Sequence, residues 1–172
     1  IHKPVTVNLR SNFDALAKWA PSLVTDESGT AVVKFKLPDN LTRYRIMVVA
    51  SCGADQFGTG ESSLTARLPL MLKPSAPRFL NYGDSFELPL VIHNQTDAPI
   101  DVNLAARATN IKFIKGQGRH TTVPPNDRVE VRLPAETLHS GKAKFQAIVA
   151  CGTTTDAAQF DLPVYTPATT EA

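Results

Sequence analysis

Period-two alternation of apolar and polar residues runs through almost the whole chain, and it constrains the fold more than any other feature. Ala31, Val33, Phe35 and Leu37 alternate with Val32, Lys34 and Lys36. Tyr44, Ile46, Val48 and Ala50 alternate with Arg43, Arg45 and Met47, and Leu64, Ala66 and Leu68 with Ser63, Thr65 and Arg67. Further on, Phe86, Leu88, Leu90 and Ile92 alternate with Ser85, Glu87 and His93, and Ile100, Val102, Leu104 and Ala106 with Asp101, Asn103 and Arg107. Val129, Val131 and Leu133 alternate with Arg128, Glu130 and Arg132, and Phe145, Ala147 and Val149 with Lys144 and Gln146. Each run reads as a half-buried antiparallel strand with one wet face. Turn-forming residues separate the runs: Asp26–Gly29, Pro38–Asn40, Asn81–Asp84, Asn94–Asp97 and Pro124–Asp127. The pattern predicts an all-β chain of antiparallel sandwiches.

Only Asn12–Trp19 tempts a helical reading, with Phe13 and Leu16 on one face. It is too short to stand alone, and Pro21 follows closely, so an extended segment with one helical turn is an equal reading. Pro69, Pro74 and Pro77 punctuate a crossover between two domains. The first domain is placed at 1–70 and the second at 71–165. Residues 166–172, rich in Thr, Pro and Ala, form an extended linker. Residues 74–165 supply about seven strands, enough for a two-sheet sandwich. Residues 1–70 supply about four or five, so the first sandwich is expected to be incomplete, its opening strands lying upstream. Its open edge needs a covering partner.

Charge excludes several function classes. Lys and Arg total 18 against 16 Asp and Glu, a formal net charge of +2 that does not suit a nucleic-acid binder. Arg43 and Arg45 share a strand face, but Tyr44 points away from it, so no base-stacking platform forms. No apolar run approaches the roughly 20 residues that cross a bilayer, and direct membrane insertion is not expected. Ile1–Pro4 lack the features of a signal peptide, so an export signal would lie outside this chain.

The search for chemistry returns little. His2, His93, His120 and His139 are widely spaced and read as surface or strand-edge imidazoles; no metal site is predicted. Gly58-Thr59-Gly60-Glu61-Ser62 lacks the closing Gly of a nucleophile elbow and the Lys-Ser/Thr of a phosphate loop, and it reads as a hairpin turn. The Asp-rich loops are too short for a calcium site. Asn40-Leu41-Thr42 and Asn94-Gln95-Thr96 match the glycosylation tripeptide. Neither catalytic residues nor a cofactor site are predicted, and the chain does not read as an enzyme. Cys52 and Cys151 each end an apolar run and read as two buried free thiols, or as one bridge, a choice the sequence leaves open.

The run Trp19-Ala20-Pro21-Ser22-Leu23-Val24-Thr25-Asp26-Glu27-Ser28-Gly29, followed by Leu37-Pro38-Asp39-Asn40-Leu41-Thr42-Arg43-Tyr44-Arg45, resembles the alpha-2-macroglobulin family. Phe57–Ser63 with Gly60, Pro69–Leu72, Pro77-Arg78-Phe79-Leu80, Gly83-Asp84 and Val91-Ile92-His93-Asn94 continue the resemblance in order, with wording closer to the bacterial branch. The positions that carry it are Trp19, Asp26, Gly29, Pro38, Asp39, Tyr44, Gly60, Pro77, Gly83 and Asn94.

The resemblance implies macroglobulin-like, fibronectin-like sandwiches in series, placed after the bait region and before the thioester domain. The family's thioester motif is Cys-x-Glu-Gln. Here the cysteines stand in Cys52-Gly53-Ala54-Asp55 and Cys151-Gly152-Thr153-Thr154, so no thioester residue carries over. The implied role is a scaffold piece of a broad-spectrum protease inhibitor that traps its target after bait cleavage. Its implied partners are neighbouring macroglobulin-like and thioester domains and, through the whole protein, target proteases. The implied location is periplasmic or extracellular. The competing reading is a cell-surface adhesion module that pairs a partner strand on an open edge.

Two further expectations follow. Trp19 should be buried against the Tyr44-Ile46-Val48 face, and both thiols should be buried and slow to react.

Overall fold

Alternating strands bury their apolar face only where a second layer lies opposite, and the two parts of this chain differ in that respect. In a computed structural model, residue 7 and residues 9–167 are described. The chain divides into two units: Asn12–Arg67, and a second that takes in Leu9–Arg10 and runs on from Leu68. No helix occurs among the described residues, and the all-β expectation holds.

The second unit is a two-sheet sandwich. Its first sheet runs β1 (Leu9–Arg10), β12 (Thr154–Tyr165), β11 (Gly141–Cys151), β7 (Ile100–Thr109) and β9 (Gly118–Val123), with β5 (Leu80–Asn81) also pairing β12. The other runs β4 (Leu70–Pro74), β6 (Ser85–Asn94), β10 (Arg128–Thr137) and β8 (Ile111–Phe113). Alternation dictates what fills the space between. Leu88, Leu90 and Ile92 of β6 and Leu133 and Ala135 of β10 face Val102 and Leu104 of β7 and Phe145, Ala147 and Val149 of β11 in one buried cluster. Phe145 stacks on its register partner Phe160 with centroids 5.1 Å apart and meets Phe86 of the opposite sheet edge-on at 6.5 Å. Such aromatic geometry adds to the area buried.

The Asn12–Arg67 unit has one sheet of two strands, β2 (Arg43–Cys52) and β3 (Gln56–Thr65), joined through Gly53 at positive φ. Three sequence expectations are corrected here. Ala31–Leu37 alternate but form no strand, because alternation is realised as a strand only when a neighbour supplies the hydrogen-bond ladder. Asn12–Trp19 form no helical turn. Gly58 and Gly60 lie inside β3, opposite Ala50 and Val48, and not in a turn; the turn spans residues 53–55, before β3 begins, where Gly53 takes φ of 67°. Leu9–Arg10, counted with the first domain on sequence grounds, pair with β12 of the sandwich. Residues 166–167 have no regular structure, and His2 and the last residues of the tail lie outside the described residues.

Candidate functional site

Most of the residues that carry the family resemblance are turn and junction residues with a local structural task, whereas Gly60 lies within β3 and Trp19 and Pro77 are exposed outside any strand. Asp26 builds one turn by accepting from the Ser28 amide (3.0 Å), the Ser28 hydroxyl (2.6 Å) and the Thr30 amide (2.9 Å). Those bonds, the Ser28 hydroxyl first, hold its carboxyl below the usual range, since all of them favour the ionised form. Gly29 closes the turn at φ of 79°, a region open to glycine without strain. The Leu-Pro-Asp motif makes a second junction. Asp39 accepts from the Asn12 amide at 2.9 Å and donates its own amide to the Asn12 carbonyl at 2.7 Å. Asn40 donates to the Asp14 carbonyl, and the Tyr44 hydroxyl lies 3.2 Å from the carbonyls of Pro38 and Asn40. The motif thus ties the start of this unit to the strand that begins its hairpin.

The hairpin presents two unlike faces. Register places Tyr44, Ile46, Val48 and Ala50 on one face, beside Leu64 and the bare backbones of Gly58 and Gly60. A Cβ added at either glycine meets nothing within 4 Å. The opposite face carries the Arg45–Glu61 pair, bidentate at 2.6 Å, with Met47, Val49 and Phe57 exposed nearby. The first face carries no charge and is largely apolar, with Ser62 opposite Ile46, and its apolar residues Ile46, Val48 and Leu64 stay about half exposed. Trp19 is 72% exposed, which corrects the expectation that it packs on the Tyr44-Ile46-Val48 face. The physical reason is the missing layer: a two-stranded sheet has no opposite wall to enclose a large aromatic.

In the sandwich, Asn94 has a fully buried side chain. Its amide donates to the carbonyls of Ala98 (2.7 Å), Pro124 (3.0 Å) and Val123 (3.3 Å), and its oxygen accepts from the Thr96 amide and hydroxyl. One amide fixes the β6–β7 turn against the end of β9, and its nitrogen is closed to glycosylation in the folded chain. Gly83 takes φ of 85° in the turn between β5 and β6, where Asp84 accepts from the Asn81 amide. Pro77 is exposed between β4 and β5.

His93 shares an open cleft with Lys73, Ser75, Arg128 and Glu130. Partial burial, then the charges of Lys73 and Arg128, push its imidazole below the ordinary range. Among the described residues, no cluster of three or more His, Cys, Asp or Glu is placed to hold a metal ion. No described helix is long and apolar enough to cross a membrane.

Both cysteines are free, which answers the question left open between thiols and a bridge. Cys52 is exposed and Cys151 half-buried, against the expectation that both are buried. Each stands at a hairpin end, just before a glycine at positive φ, so burial depends on the layer opposite rather than on the apolar run. The sequence reading missed Arg10 and Asp156, which form a buried, bidentate pair between β1 and β12.

The sequence signature of the alpha-2-macroglobulin family matches residues 17–106. The chain belongs to the alpha-2-macroglobulin family. It is 29% identical over 164 residues to an alpha-2-macroglobulin of Thermotoga maritima, a match covering 94% of this chain and 10% of that protein. A stretch of the circularly permutated Ras protein 2 of Dictyostelium discoideum is 32% identical over 169 residues, covering 94% of this chain and 4% of that one. Among solved structures, trypsin-activated alpha-2-macroglobulin from Escherichia coli matches with a TM-score of 0.72 and 26% identity, over 84% of this chain and 10% of that one. The chain thus spans a tenth or less of the length of these relatives. The family match extends across parts of both units, from Ala17 in the first to Ala106 on β7.

Proposed function

We propose that this chain is a scaffold region of an alpha-2-macroglobulin-like, broad-spectrum protease inhibitor. In this reading, residues 1–70, apart from Leu9–Arg10 and Leu70, which take part in the sandwich strands, are the closing part of one macroglobulin-like domain, following the bait region. Residues 71–165 are the next such domain, and 166–172 lead onward. The partners are neighbouring macroglobulin-like and thioester domains, with target proteases reached through the whole protein. Its location is periplasmic or extracellular.

The observation that carries the reading is what the family-pattern residues do. Asp26, Gly29, Asp39, Tyr44, Gly83 and Asn94 sit in turns and junctions, and most of them bond backbone atoms there. They hold shape and present no reactive group. The uncovered apolar face of β2–β3 supports the same reading, since it suits a sandwich whose remaining strands come from elsewhere in the parent. Cys52 and Cys151 lack the Glu-Gln that the family's thioester requires. The function of such a region is passive: to set the spacing between the parts that are cut and the parts that react.

The test is to incubate the purified chain with proteases of several classes and to follow their cleavage of a large protein substrate. The expected result is full cleavage of the substrate. Stoichiometric protection would overturn the scaffold reading and place a direct protease-binding surface on these units.

A further inference from the structure

A buried ion pair closes one seam of the sandwich, and one of its partners comes from far away in the chain. Arg10 Nε donates to Asp156 Oδ1 at 2.7 Å, and Nη2 donates to Asp156 Oδ2 at 2.7 Å and to the Leu72 carbonyl at 2.6 Å. The Leu72 amide donates to the same Asp156 Oδ2 at 2.7 Å. The two side chains are 7% and 1% exposed. β12, which carries Asp156, belongs to one sheet, and β4, which carries Leu72, to the other. The guanidinium therefore bridges the sheets at their edge and engages both polar backbone groups of Leu72, one directly and one through the carboxylate.

The strand that delivers Arg10 is slight. β1 is Leu9–Arg10, paired in parallel with Ala157 and Ala158 of β12. A two-residue parallel ladder has little hold of its own. Its anchor is the planar fork, which satisfies two carboxylate oxygens and a carbonyl at once. A lysine ammonium carries its donors on a single nitrogen and cannot match that fork. Ala157 and Ala158 keep the receiving edge bare of bulk.

We propose that the edge of β12 at Ala157–Ala158 is an arginine-selective strand-docking site. Here it is filled by the chain's own Leu9–Arg10, and that segment can be displaced from it. The ligand class is an extended peptide that adds in parallel and sends one arginine between β12 and β4. The inference does not rest on the protease-inhibitor reading.

The test uses the full chain and amide hydrogen exchange. Arg10→Lys is expected to speed exchange by about tenfold or more at those amides of residues 9–10 and 157–158 that point across the β1–β12 ladder, the weight of one charge-assisted hydrogen bond. The amides of the β6–β10 ladder should keep their protection. Asp156→Asn, which preserves volume and an acceptor for Leu72, should give the same local pattern. A peptide of residues 7–14 added to the Arg10→Lys protein should restore slow exchange at the β12 amide that points towards β1, and the same peptide with lysine for arginine should not. The proposal is overturned by unchanged exchange at these ladder amides in both variants. It is equally overturned by protection lost throughout β6 and β10, which would make the pair a general core support, or by two peptides that act alike, whether both restore protection or neither does.

Discussion

β2–β3 and β11–β12 are two hairpins written in the same idiom. Each has an apolar alternation on its first strand, a cysteine at that strand's end and a glycine at positive φ in the turn. Ile46 and Val48 on β2 are 41% and 55% exposed, whereas Phe145 and Val149 on β11 are 1% and 0%. The strands hardly differ; the neighbours do. β11 has β7 and β12 on its two sides and the β4-β6-β10-β8 sheet opposite, while among the described residues β2 pairs with β3 alone. Alternation therefore encodes which face of a strand is apolar. Whether that face is buried is a property of the layer opposite, which the strand itself does not specify.

The sharpest way to break this comparison is to truncate one residue from each hairpin. Phe145→Ala removes a ring stacked on Phe160 and should cost about 3–5 kcal/mol. Ile46→Ala should cost about 0.5 kcal/mol, the range of an exposed position. Chemical unfolding of both variants beside the parent chain measures the contrast. Equal losses would mean that β2–β3 is covered in solution by something absent from this fold, such as a second copy.

The same contrast explains what was legible in the sequence. The strands at 85–94, 100–109, 128–137 and 141–151 were readable because each alternates cleanly and ends on turn residues. β12 was not, since Thr154, Thr155, Ala157, Ala158 and Gln159 offer weak apolar contrast at its start. Yet Asp156 shares a parity with Leu162 and Val164, both buried. A charged residue at a core-facing position is itself the signal of a buried partner, although nothing local points to Arg10, 146 positions away. Ala31–Leu37 show the converse, a clean alternation with no ladder to join. Of the family-pattern residues, Asp26, Gly29, Gly83 and Asn94 were readable as turn residues. The junction of Asp39 with Asn12 was not, because it joins positions 27 apart across a segment without regular structure.

A smaller effect belongs to Asn94. Asn94→Ala removes the amide's bonds to the carbonyls of Ala98, Val123 and Pro124 and the acceptor of the Thr96 amide and hydroxyl, leaving the Thr96 hydroxyl its bond to the Ala98 carbonyl. The expected cost is about 1–3 kcal/mol in chemical unfolding. Asp97→Ala, three residues on in the same turn and exposed, loses one bond from Asn126 and should cost well under about 1 kcal/mol. If the two cost the same, the buried amide is satisfied by solvent, and the β6–β7 turn is no more fixed than the exposed junctions of the other unit.

The cysteines carry the comparison into chemistry. Their positions at the two hairpin ends are equivalent, so access alone should separate them. With a thiol-specific reagent under native conditions, Cys52 should react in a fast phase and Cys151 in a slower one, one equivalent each. Cys52→Ser should abolish the fast phase only. A single shared phase would show that the end of β11 opens as readily as the end of β2, and the burial contrast would not extend to the turns.

The smallest effect is expected at Trp19, and its smallness is the point. A tryptophan in a position that marks a family invites the reading that it anchors a core, and truncating such a residue would cost several kcal/mol. The side chain is nevertheless exposed, on a segment without strand or helix, in a unit whose sheet has a single layer. Its only enclosing surface would have to come from outside the described fold. Trp19→Ala should therefore change unfolding by about 0.5 kcal/mol or less. The emission of this sole tryptophan should lie near that of the free amino acid in water and be quenched readily by acrylamide. In a longer piece of the parent protein that supplies the rest of the sandwich, the emission should move to the blue and the quenching should fall. A blue-shifted, protected emission from the chain alone would mean that residues 12–67 fold back over their own hairpin, and the contrast between the two hairpins would then be one of degree rather than of architecture.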